Sequence, residues 1–116
     1  MPPLLLPASL HIGPHCYTVE VVRHLRRWRM GSIDYRQKLI TVGTISALTA
    51  RPYQPGEVRD TFWHEVTHGI LYEMGHVLAH NEGFVSEFAS MLTRAIETAR
   101  FEQAAEVVKP QRPPRR

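Results

Sequence analysis

The sequence predicts an α+β fold, in which a small sheet of about three strands packs on one helix and a second long helix lies alongside. Three observations carry this expectation. β-rich segments are confined to the first half of the chain, and apolar residues recur at helical spacing through the second half. Between them, Arg51-Pro52-Tyr53-Gln54-Pro55-Gly56 breaks any regular structure. At 116 residues the chain has the length of one domain. Its expected parts are an irregular arm at 1–15, a single domain at 16–108 and a basic tail at 109–116.

The arm contains Pro2, Pro3, Pro7, Gly13 and Pro14, which exclude an extended helix. Residues 17–22 (Tyr-Thr-Val-Glu-Val-Val) read as a strand. Residues 31–35 and 38–42 are two more strands, separated by Arg36-Gln37 as in a hairpin. Residues 44–50 have no clear preference. A helix then begins near Pro55 to Glu57, because proline suits the first turn and an acidic side chain suits the positive end of the helix dipole. It should run to about Tyr72 or Met74, where Gly75 stops it. After a short connector, Asn81 caps a second helix expected to continue from Glu82 to about Val108, before Pro110. Val85, Phe88, Ala89, Leu92, Ile96 and Ala99 form its apolar stripe.

Composition narrows the class. With 43% hydrophobic and 22% charged residues the chain is that of a globular protein, and no apolar run approaches the ~18 residues of a membrane span. Leu4-Leu5-Leu6 lacks a preceding positive charge and does not read as a secretory signal, so a cytoplasmic location is expected. A single cysteine, Cys16, cannot form an internal disulfide and reads as a small half-buried residue. The net charge of +3 is modest. Its basic clusters are the stretch at residues 23–29, where Arg23, Arg26, Arg27 and Arg29 surround Trp28, and the tail with Lys109, Arg112, Arg115 and Arg116. Such clusters suit a weak contact with a nucleic-acid backbone, or else are a solvated connector and an irregular tail.

The pattern with most chemical content is His64-Glu65-Val66-Thr67-His68. On a helix, positions i and i+4 lie about 40° apart, so both imidazoles reach one metal ion. Glu65 lies about 80° from their midpoint, badly placed as a ligand but well placed to touch a water held by the metal. A zinc ion in a hydrolytic site takes three protein ligands, so a third is required. Glu82 is the first choice because the wheel places it on the side of Val85, Ala89 and Ile96. Glu87 falls about 140° away and reads as surface. His80 is the alternative third ligand, and His76 a candidate donor to a developing oxyanion, beside Tyr35 and Tyr72.

The segment from Thr61 through His64-Glu65-Val-Thr-His68 to Gly69-Ile70, followed by Asn81-Glu82-Gly-Phe-Val-Ser-Glu-Phe-Ala89, resembles the gluzincin metallopeptidases. It is most similar to the minimal single-domain zinc peptidases of phages and bacteria and to the metallopeptidase domain of the ImmA/IrrE group. The resemblance covers residues 17–100. It implies a minimal zincin-like fold, one Zn2+ per chain, and a Glu near the start of the second helix as third ligand, the position of Glu82. Ser86 stands where larger members carry an Asp that supports a ligand histidine, and the chain has no second lobe to wall a substrate cleft.

The expected activity is hydrolysis of peptide bonds by a zinc-activated water, with Glu65 as general base and a peptide or protein as substrate. An extended substrate would add to the sheet edge along Gly31, Ile33 and Tyr35. Two other readings are compatible with the sequence. One is a non-catalytic zinc-stabilised domain that binds nucleic acid or protein. The other is a DNA-associated metallopeptidase similar to the SprT-like group, with His80 as third ligand.

Overall fold

The computed structural model describes residues 6–26 and 29–108. Two antiparallel pairs meet in one four-stranded sheet, backed by two helices. The strands are β1 (Ser9–Ile12), β2 (His15–Val22), β3 (Gly31–Asp34) and β4 (Leu39–Gly43). The helices are α1 (Pro55–Glu73) and α2 (Glu82–Thr98). The sheet order is β1-β2-β4-β3, with β2 and β4 parallel and the outer pairings antiparallel. The architecture is α+β, and the sheet has four strands where about three were expected.

The additional strand lies in the segment expected to be an irregular arm. Gly13 adopts φ +59 and, with Pro14, makes a two-residue turn that pairs Ile12 with His15 and Ser9 with Thr18. Glycine at the first central position is what such a turn demands, because an L side chain is strained there. The Gly-Pro pair is therefore a hairpin connection. β1 contributes the buried Ile12 to the core.

The expected hairpin of β3 and β4 forms in register, with Gly31 opposite Val42 and Asp34 opposite Leu39. Asp34 Oδ1 accepts the backbone N–H groups of Arg36 at 2.9 Å and Gln37 at 3.0 Å, closing the turn. β3 is an edge strand, paired only with β4 among the described residues.

One face of the sheet is covered by α1. Ile12, Tyr17, Ile40 and Val42 pack against Val58, Phe62 and Val66 of the helix. The approach is close because residue 69 has no side chain. A Cβ on Gly69 would lie 2.9 Å from Ile12 Cδ1 and 3.0 Å from Ile33 Cδ1. The opposite face of the sheet is open, and Cys16, expected to be half-buried, is exposed.

α1 has the expected limits. Pro55 occupies the first turn, and the Gln54 N–H donates to Glu57 Oε1 at 3.1 Å. At the other end Gly75, at φ +64, donates to the Tyr72 carbonyl at 2.9 Å, and His76 N–H donates to the Leu71 carbonyl at 2.9 Å. These two bonds form a glycine stop that satisfies carbonyls otherwise left unpaired at the helix end.

α2 starts where expected, with Asn81 Oδ1 accepting the Phe84 N–H at 2.9 Å. It ends at Thr98, about ten residues before the expected limit. Near that end Glu97 forms an ion pair with Arg59 of the first turns of α1. Beyond this level α2 has no α1 surface left to bury against, and Phe101 is 89% exposed. Helical spacing without a packing partner does not hold a helix in water. Arg27 and Trp28 of the basic stretch, the first five residues and the tail at 109–116 lie outside the described residues. No helix among the described residues is long and apolar enough to cross a membrane.

Candidate metal centre

Both histidines of the motif point from α1 toward the start of α2. A small apolar cluster of Leu71, Ala79 and Val85, with Leu78 against it, holds the intervening connector in place. Its position lets His68 Nδ1 reach the Ala79 carbonyl oxygen at 2.7 Å. A carbonyl only accepts, so Nδ1 carries a hydrogen. In the neutral ring Nε2 is then an unprotonated donor of electrons, directed at Glu82 Oε1 at 3.0 Å. His64 Nε2 lies 3.1 Å from the other oxygen, Glu82 Oε2.

His64, His68 and Glu82 each offer one ligand atom, and the three atoms lie within 4.8 Å of one another. A neutral His68 presents an unprotonated Nε2 to the Glu82 carboxylate, which is unfavourable unless a proton on the ring or a metal ion lies between them, whereas His64 can meet the carboxylate as an Nε2–H donor. Ligands about 2.0 to 2.1 Å from a tetrahedral zinc are about 3.3 Å apart, close to the 3.1 and 3.0 Å that separate the two Nε2 atoms from the nearer oxygens of Glu82. Two nitrogens and one oxygen are also a donor set zinc favours. His68 is almost buried, with 7% of its side chain exposed, whereas the Glu82 side chain is 71% exposed. The cluster is rigid on the helix side and open on the other, the form a site needs if it must admit water and a substrate.

Glu65 is the buried carboxylate between the histidines, with 7% exposure. Burial is the main cause that pushes its carboxyl up to about 7. Glu82 adds to the rise, while His68 and Arg29 oppose it. A cleft of about 680 Å³ opens over this group, lined among others by His64, Glu65, His68, Glu82 and Tyr35. Gly31 lets β3 come close to it, since a Cβ there would lie 3.2 Å from Glu65 Cγ and 2.6 Å from Thr61 Cγ2.

The other sequence candidates separate clearly. Gly31, Ile33 and Tyr35 all line the cleft. The Tyr35 hydroxyl is pushed up to about 12, first by burial and then by Glu65, Glu82 and Tyr72, so at neutral pH it is a hydrogen-bond donor. Its ring stacks on Tyr72 with centroids 4.0 Å apart. His80 also lines the cleft but does not join the three-residue cluster. His76 does not line it. Its Nδ1 accepts the Leu78 N–H at 3.0 Å, so it shapes the connector that presents Ala79. Glu87 is exposed on α2, as the wheel indicated.

Arg29 and Asp60 are among the cleft residues that the sequence reading did not assign to the site. Arg29, read only as part of a basic stretch, lines it. Asp60 also does so, and its Oδ1 is buried without a hydrogen-bond partner among the described residues. Spacing held a signal for Asp60, which lies four residues before His64. Comparison with known protein families, curated proteins and solved structures finds no significant match.

Proposed function

We propose that the protein is a zinc-dependent metallopeptidase of minimal zincin-like type, with His64, His68 and Glu82 as ligands and Glu65 as general base. The observation that carries this reading is the convergence of both motif Nε2 atoms on the Glu82 carboxylate at 3.0 and 3.1 Å, beside a buried Glu65 on the floor of an open cleft. A bound zinc would supply a water acidic enough to lose its proton near neutral pH and a positive charge for a carbonyl oxygen.

The residues of the chain supply the rest. Glu65 takes the proton from the attacking water and passes it to the leaving amine. The Tyr35 hydroxyl donates to the oxygen on which negative charge develops. The free edge of β3 binds an extended peptide through backbone hydrogen bonds, and the closeness of Gly31 to Glu65 brings that backbone to the chemistry. An edge strand binds main chain with little regard to side chains, so the expected substrate is an unfolded segment of peptide or protein.

The test is cleavage of a mixed peptide library by zinc-loaded wild type and by Glu65→Gln. The variant should keep its zinc and its fold and lose at least about a hundredfold in rate. Equal cleavage by the two proteins would rule out the mechanism. Zinc binding with no cleavage by wild type would favour a non-catalytic zinc-stabilised domain.

A further inference from the structure

The two motif histidines differ in what holds them. His68 is fixed from behind by the Ala79 carbonyl at 2.7 Å. Among the described residues His64 has one polar neighbour, Glu82 Oε2 at 3.1 Å from its Nε2, and its Nδ1 has no partner there. A ligand imidazole free to rotate or to change tautomer is a poor ligand, and metal-bound histidines nearly always donate the second ring N–H to a fixed acceptor.

A suitable acceptor stands one turn away. Asp60 Oδ1 is buried and is the one buried side-chain oxygen or nitrogen without a hydrogen-bond partner among the described residues. Leaving such an atom unpaired is costly enough to need a reason. Asp60 and His64 are spaced i, i+4 on α1, where Cβ atoms lie about 6 Å apart and side chains can meet, although no hydrogen bond or ion pair joins the two among the described residues. Both line the same cleft. An unpaired acceptor and an unpaired ring nitrogen thus occupy adjacent turns of one helix face.

We propose that Asp60 is the positioning residue of His64: when a metal is bound its carboxylate accepts the Nδ1–H, holding the ring in the tautomer that turns an unprotonated Nε2 toward the metal beside His68 and Glu82. This rests on the metal-site reading above. Asp60 touches neither substrate nor metal and acts through His64 alone. The competing role is a helix clasp, since Asp60 also borders a shallow groove shared with Arg94 of α2.

The experiment measures zinc affinity by chelator competition on the untagged full chain, as wild type, Asp60→Asn and Asp60→Ala, with ring-nitrogen NMR of His64 in the zinc-loaded proteins and thermal unfolding of the metal-free ones. Asp60→Ala should weaken zinc binding about 10- to 100-fold. Asp60→Asn, whose amide oxygen still accepts from Nδ1–H, should fall between it and wild type. In wild type the His64 Nδ1 proton should be present and protected from exchange, and in Asp60→Ala it should exchange rapidly. Metal-free Asp60→Ala should unfold at or above the wild-type temperature, because a buried unpaired acceptor has been removed.

Wild-type zinc affinity in both variants, or a wild-type His64 whose Nδ1 proton exchanges freely, would overturn the proposal while leaving the metal site intact. A metal-free Asp60→Ala that is destabilised but binds zinc normally would show the clasp with Arg94 instead. A variant too unstable to assay leaves the wild-type NMR measurement decisive. Absence of zinc binding by wild type would remove the metal-site reading itself, and this proposal with it.

Discussion

Glu82 Oε1 stands 3.0 Å from His68 Nε2, joining the first residue of α2 to the second histidine of a motif on α1. The contact depends on the Asn81 cap that starts α2 at residue 82 and on the connector that turns Ala79 toward His68. Replacing Glu82 by Ala should lower zinc affinity by more than ~100-fold, beyond the loss expected for a supporting residue. Replacing His80 by Ala should change it by no more than about threefold, because His80 stands outside the cluster. Zinc competition assays on both variants check this, and the reverse order would make His80 the ligand.

Gly31 lets β3 lie close against α1 at the level of Glu65. Its added Cβ would collide with Thr61 Cγ2 at 2.6 Å, and Thr61 cannot turn aside without losing the bond from its hydroxyl to the Glu57 carbonyl. Gly31→Ala should therefore destabilise the fold by about 1 to 3 kcal/mol and lower peptidase activity further than this loss explains. Denaturant melts and rates measured on the folded variant distinguish the two effects.

Tyr35 and His76 were both candidate oxyanion donors, and only Tyr35 borders the cleft. Tyr35→Phe should reduce kcat by about ten- to a hundredfold with a small change in KM. His76→Ala should leave both constants within about twofold, provided the variant is compared at equal folded fraction. Steady-state kinetics on a peptide found in the library screen give the answer.

Glu73, at the last turn of α1, ties the helix to the sheet and sets a pH dependence of stability. Partial burial raises its carboxyl. Hydrogen bonds from Lys38 at 3.3 Å and Tyr17 at 3.1 Å, with the charges of His15 and Lys38, more than offset this and leave it below its ordinary value of 4.5. The folded form thus binds its proton less readily than the unfolded chain. The contribution is fully present above pH 4.5 and is lost as pH falls through the lowered folded value. Thermal melts from pH 7 to pH 3 should show wild type more stable than Glu73→Gln at the upper end, with the difference shrinking below pH 4.5.

The sequence made the helices and the β3–β4 hairpin legible because their local signals agree with their packing. Pro55 and Gly75 bracket α1, and Asn81 opens α2. Two elements were misread for different reasons. Gly13-Pro14 contains both a chain-breaking and a hairpin signal, and the composition of the arm favoured the first. The far end of α2 depends on where α1 stops beneath it, which no local pattern records. Within the candidate site, helical spacing was enough to put His64, Glu65 and His68 beside one another, and the Asn81 cap with the wheel position of Glu82 was enough to bring that carboxylate to them. The support behind His68 was not legible because it is a backbone carbonyl, and any residue can offer one. His76 was misplaced because its ring nitrogen turns back to the Leu78 N–H.

The zinc content of wild-type protein, purified without added metal or a metal-binding tag, tests the central claim most directly. One zinc per chain, retained in Glu65→Gln and lost in His64→Ala and His68→Ala, is the expected result. A folded wild-type chain that carries no zinc and takes up none when it is added would contradict the account.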